Sequence, residues 1–130
     1  MAPAIILDSS ALMIPFQLHV DFDRELKRLL GSYTGVVLTP VIKELDTLSE
    51  FGKGKIRLYA KAALDYIKQK RFKIVEAQGE ADDAIFEFAL KSNAITLTLD
   101  KELCKRLKKE NRKAISLGKG KALKFEVCQT

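Results

Sequence analysis

Four carboxylates, Asp8, Glu44, Asp82 and Asp100, sit where the sequence pattern passes from a strand into the helix after it. Brought to one place they would repel one another, raising their pKa values or opening the site unless a cation stood among them. A divalent ion is the economical answer. The single histidine, His19, and the two cysteines, Cys104 and Cys128, have no zinc or redox spacing, so the donors on offer are oxygens. Oxygen donors select hard cations, Mg2+ or Mn2+. Such ions activate water and stabilise the charge that builds on a phosphodiester during in-line displacement. His19 has no serine or cysteine nucleophile pattern around it and reads as a structural or surface residue.

The elements that must position these acids follow from apolar patterning. Residues 4–7 form a short, continuous apolar run of the kind found in strands buried on both faces, and Asp8 ends it. Ser9 and Ser10 offer N-cap hydroxyls for a short helix through Leu12 and Met13, expected to stop at Pro15. A helix over 21–30 places Phe22, Leu26, Leu29 and Leu30 together and ends at Gly31. After a second strand over 36–39, Pro40 suits a first helical turn, and the helix over 41–48 carries Glu44 at the margin of its apolar side. Phe51 to Lys55 reads as a basic loop whose glycines do not match a phosphate-binding loop. A long helix over 56–70 and a weak strand over 72–75 lead to Gly79. A strand over 94–99 then ends at Asp100, followed by a basic helix over 101–109 and a strand over 114–117. Residues 118–121 make a turn, and 123–127 alternate as an edge strand does.

The helix opening at Gly79 decides between two neighbouring acids. Ala81, Ala84, Ile85, Phe88 and Ala89 recur at the spacing of one helical face. At about 100° per residue, Asp82 lies at the edge of that face and Asp83 points away from it. Asp82 can therefore reach a cleft beside the packed face while Asp83 is solvated. Acids in a first turn also complement the helix macrodipole, so the pair has a bland reading as well.

Strands alternating with helices predict an α/β sandwich around a mostly parallel sheet. Sites in such sheets form outside the carboxyl ends of the strands, which puts all four acids on one edge. The 130 residues, 47% of them hydrophobic, suffice for one domain with a real core. A formal net charge of +6 favours a polyanionic partner such as nucleic acid. Lys53, Lys55 and Arg57 form one basic cluster, and Lys101, Lys105, Arg106, Lys108 and Lys109 another. Both adjoin segments bearing the acids and are expected to hold a nucleic acid by its backbone, with little sequence preference. The first apolar run is far too short to cross a membrane or to serve as a signal peptide. A cytoplasmic location without membrane attachment is the expectation.

Four stretches together resemble the PIN-domain family of small metal-dependent ribonucleases: Ile6-Leu7-Asp8-Ser9-Ser10, Thr39-Pro40-Val41-Ile42-Lys43-Glu44-Leu45, Ala81-Asp82-Asp83-Ala84-Ile85 and Leu97-Thr98-Leu99-Asp100-Lys101-Glu102-Leu103. Each is short, but their order and spacing make a specific set, and the likeness covers nearly the whole chain. It implies a three-layer Rossmann-like fold with about five strands in a mostly parallel sheet, residues 1–130 forming one nuclease domain. It implies Asp8, Glu44, Asp82 and Asp100 as metal-binding catalytic acids, Asp83 as an alternative or assisting ligand, and Ser10 and Thr98 as polar supports. The activity implied is Mg2+- or Mn2+-dependent endoribonuclease cleavage, in RNA processing or as the toxin of a toxin-antitoxin pair. Implied partners are RNA, a second copy of the chain, and an antitoxin or a ribosome-assembly factor.

Two other classes compete with this reading. A phosphoacceptor receiver domain needs paired acids after the first strand and an acceptor aspartate after the third, and the sequence has neither. A catalytically inactive RNA-binding or protein-interaction module of the same fold is the other, and retention of four mutually repelling acids argues against it.

Overall fold

A computed structural model describes residues 2–126. Six strands form one sheet, β1 (Ala4–Leu7), β2 (Thr34–Leu38), β3 (Lys73–Val75), β4 (Ile95–Leu97), β5 (Ala114–Leu117) and β6 (Leu123–Phe125), in the order β3-β2-β1-β4-β5-β6. The first five strands are parallel and β6 runs antiparallel to β5. The mostly parallel α/β architecture predicted from the sequence is present, with six strands in place of about five. Ile5, Ile6 and Leu7 are buried, as are Val36, Val37 and Leu38 beside them, because helices cover both faces of a parallel sheet. Val127, the last residue of the predicted edge strand, and Cys128 lie outside the described residues.

The helices are α1 (Ser9–Gln17), α2 (Phe22–Leu30), α3 (Thr39–Phe51), α4 (Ile56–Gln69), α5 (Ala81–Ser92) and α6 (Lys101–Lys109). Helices α1, α3 and α4 pack on one another, and α5 packs on α6. Pro15 lies inside α1 instead of stopping it. A proline removes one backbone donor near the helix end, and Leu18 N still bonds Ile14 O at 2.9 Å, so the last turn closes. Nor do Ser9 and Ser10 cap this helix. Asp8 is its N-cap, accepting from Ala11 N. Helix α3 runs three residues further than the apolar pattern suggested, through Phe51, before the chain turns at Gly52. Among the described residues no helix is long and apolar enough to cross a membrane.

One close approach fixes the β2–β3 side of the sheet. Gly35 in β2 lies under the Phe72 ring, where a methyl would sit 2.3 Å from Cδ1. Phe72 in turn meets Tyr66 of α4 edge to face at 5.7 Å, and Tyr66 meets Phe16 of α1 at 5.8 Å. These rings tie α1 and α4 to the sheet. The chain order reverses between β1 and β4, and a crevice outside the strand ends at such a reversal is where α/β sheets build sites.

Candidate active site

The crevice is a cleft of about 320 Å3 lined by Asp8, Ser9, Ser10, Glu44, Ala81, Asp82, Leu99 and Asp100. Four of these residues are acids and none is basic. Asp8 leaves β1, Glu44 stands in the second turn of α3, Asp82 in the first turn of α5, and Asp100 caps α6. The structure thus brings together the four acids named from the sequence, each at the start of a helix that follows a strand.

Each acid is held differently. Asp8 is buried; its Oδ1 accepts from Ser10 Oγ at 2.9 Å and Ala11 N at 2.8 Å, and its Oδ2 accepts from the Thr98 hydroxyl. Thr98 Oγ1 also accepts from Asp100 N at 3.0 Å, so one hydroxyl ties the end of β1 to the start of α6. Ser10 and Thr98 therefore sit where polar supports were expected. Asp100 Oδ1 accepts from Glu102 N at 2.9 Å. Glu44 accepts from the Ser9 hydroxyl, a contact that apolar periodicity gives no sign of, because it joins α1 to α3 across the sheet edge. Thr39 likewise escapes pattern reading. It accepts from Ala77 N at 3.1 Å and donates to Ala77 O at 3.3 Å, fixing the start of α3 against the segment that enters α5.

Burial pushes the Asp8 carboxyl up to about 6 from an ordinary 3.8, despite hydrogen bonds from Thr98, Ala11 and Ser10 that favour the anion, and the Asp82 charge adds to the rise. Asp82 is raised too, first by desolvation and then by Asp100, with Glu44 and Asp83 contributing. Negative neighbours thus disfavour the charged forms of Asp8 and Asp82, which is the electrostatic condition a bound cation relieves.

The donor chemistry fits a hard divalent ion, being all oxygen. Among the described residues, no three acids close tightly enough to hold an ion on side chains alone. Asp8, Glu44, Asp82 and Asp100 are the residues that would hold it.

Asp83 does not face this cleft. Its Oδ1 accepts from Arg106 Nη1 at 2.9 Å, and the Arg106 guanidinium lies 4.4 Å from the Phe86 ring centroid. Arg106 is thus occupied, which its place in a basic run does not reveal. Lys53 and Lys55 lie in the loop after α3 and Arg57 opens α4; none of the three lines the acid cleft. Glu44 and Lys53 are nine residues apart, about two helical turns and a loop from the acids. Lys101 and Lys105 line a neighbouring pocket that shares Leu99 and Asp100 with the cleft, whereas Lys109 lines neither. On its other side the cleft shares Glu44, Ala81 and Asp82 with a groove of about 780 Å3 between α3 and the segment before α5. The acid cleft thus has a neighbouring hollow on either side.

Residues 5–120 match the family model described as a PIN like domain. Ribonuclease VapC4 of Methanocaldococcus jannaschii is 36% identical over 112 residues, covering 82% of this chain and 84% of the relative. Ribonuclease VapC9 of Archaeoglobus fulgidus is 29% identical over 103 residues, covering 79% and 74%. Among solved structures, the PIN domain endonuclease Utp24 superposes with a TM-score of 0.79 at 21% identity, covering 95% of this chain and 90% of that one. At that identity the likeness is one of fold.

Proposed function

The chain belongs to the PIN-like domain family, and from that premise we propose that it is an endoribonuclease whose acid cleft hydrolyses internal phosphodiester bonds with Mg2+ or Mn2+. The observation that carries this reading is a cleft lined by four acids and no base, with a further hollow on either side of it. The two relatives that bear ribonuclease names support it. Their shared VapC name favours the toxin role over RNA processing, with an antitoxin as the proposed protein partner.

The residues divide the work. Asp8, Glu44, Asp82 and Asp100 provide the negative oxygens that would hold the ion. A divalent ion, if so held, would supply an activated water and offset charge on the phosphate oxygens. Ser9 fixes Glu44, and Thr98 fixes Asp8 and the α6 cap, so the acids need little rearrangement before reaction. Asp8 lies deepest, and its burial keeps bulk water from screening it. Asp82 and Asp100, nearer the mouth, face the path of the strand.

Incubation of single-stranded RNA with the purified chain and Mn2+ tests the reading. Cleavage is expected, with a loss of about 100-fold or more in Asp8→Asn. Binding of RNA by a well-folded protein without any cleavage would favour an inactive module of the same fold.

A further inference from the structure

Beside Asp100 the acid cleft adjoins a pocket of about 360 Å3 between α6 and the β5–β6 pair. Its walls are built from two independent periodicities. Lys101, Cys104, Lys105 and Lys108 recur at helical spacing on one side of α6. Ser116 of β5 pairs in register with Lys124 of β6, so their side chains stand on the same face of the sheet. Glu126 reaches that face too, accepting from the Ser116 hydroxyl and pairing with Lys108 at 3.4 Å. This pairing draws the Glu126 carboxyl below its usual range, the Ser116 hydrogen bond being the main cause. The one acid at the far end of the pocket is therefore met by its own lysine.

Lys101, Lys105 and Lys124 remain around the opening. Lys105 has only a loose partner, Glu102 at 3.7 Å, and both are well exposed, so that pair holds little of its charge. The stem of Lys124 runs over Gly118, where a methyl would lie 3.0 Å from Cδ. Glycine at that position leaves room for the stem, and Lys124 lines the pocket with its charge also felt by Glu126. A basic concavity that shares Asp100 with an acid cleft has the charge layout of a nucleic-acid strand's course: a scissile phosphate among the acids, the next phosphates among cations.

We propose that this α6–β6 pocket, with Lys124 as its outer wall, is a phosphate subsite for the RNA strand on one side of the cleaved bond. The proposal rests on the ribonuclease reading of the neighbouring acids. It assigns a role to Lys124, which lies in a different segment from the basic helix, and it distinguishes Lys101 and Lys105 from Lys109, which does not line the pocket.

The test measures binding of a fluorescent single-stranded RNA 12-mer across a salt series, in an Asp82→Asn background that leaves the RNA intact. Adding Lys124→Gln should weaken binding several-fold and flatten the plot of log affinity against log salt by about 0.7, the value for one phosphate contact to a single strand. Lys124→Arg should restore both, showing that the fold survives substitution there, and Lys109→Gln should change neither. An unchanged salt slope in Lys124→Gln overturns the subsite, as does an equal effect from Lys109→Gln, which would mark a diffuse field. An oligoglutamate of equal charge binding more tightly than the RNA, with the same dependence on Lys124, would also overturn it by assigning the pocket to an acidic protein segment. Failure of the wild-type chain to cleave RNA would refute the ribonuclease reading separately, because the salt slope is read without cleavage.

Discussion

Asp83 Oδ1 accepts a hydrogen bond from Arg106 Nη1 at 2.9 Å, while Asp82, one residue earlier, lines the acid cleft. The two neighbours leave α5 in different directions, as a helical step of about 100° requires. Arg106 joins α5 to α6 through this contact and through the Phe86 ring.

Exchanging each acid for its amide should separate the two roles. Asp82→Asn is expected to lose about 100-fold or more in RNA cleavage. Asp83→Asn should cleave within a few-fold of wild type and lose under about 1 kcal/mol of stability, since both partners of its ion pair are partly exposed. Parallel rate and melting measurements on the two variants read both effects. Equal rate losses would mean that Asp83 acts in the cleft after all.

Asp8 gives a prediction with a pH sign. Its carboxyl titrates near 6 in the folded chain and near 3.8 ordinarily, so the folded state binds this proton more tightly. The stabilisation from that proton is full below about pH 3.8 and is lost as the pH rises through about 6, a difference worth up to about 3 kcal/mol. In a chelator at pH 7 the protein therefore bears the cost of a buried anion. Asp8→Asn removes the charge and keeps a side chain suited to an N-cap. Metal-free, the variant should melt above wild type at pH 7, with the gap closing toward pH 4. A gap that is constant with pH, or of opposite sign at pH 7, would contradict the burial argument.

The pattern of strands and helices carried much of this arrangement. Asp8, Glu44, Asp82 and Asp100 could be gathered in advance because each comes after a strand-like run, weakest before Asp82, and parallel strands all end on the same edge. Helical angle and the family resemblance both favoured Asp82 while leaving Asp83 open. What stayed hidden depends on contacts between elements far apart in the chain. The hydrogen bond from Ser9 to Glu44 spans 35 positions, and no local period encodes it. The basic run 105–109 looks uniform, yet Arg106 is taken by Asp83 and Lys108 by Glu126. Lys124 comes to line one pocket with α6 through the antiparallel register of β5 and β6. Pro15 shows the opposite failure, a strong local stop signal overridden because α1 is anchored at both ends by Asp8 and by the packing of its buried residues.

The central claim is that these four acids cut RNA internally with the help of a divalent ion, and a circular single-stranded RNA tests it most directly because it offers no end to digest. The account predicts conversion of the circle to a linear product by the wild-type chain in Mg2+ or Mn2+, none in chelator, and at most a trace with Asp82→Asn. An intact circle under every metal condition, or equal linearisation by wild type and Asp82→Asn, would contradict it.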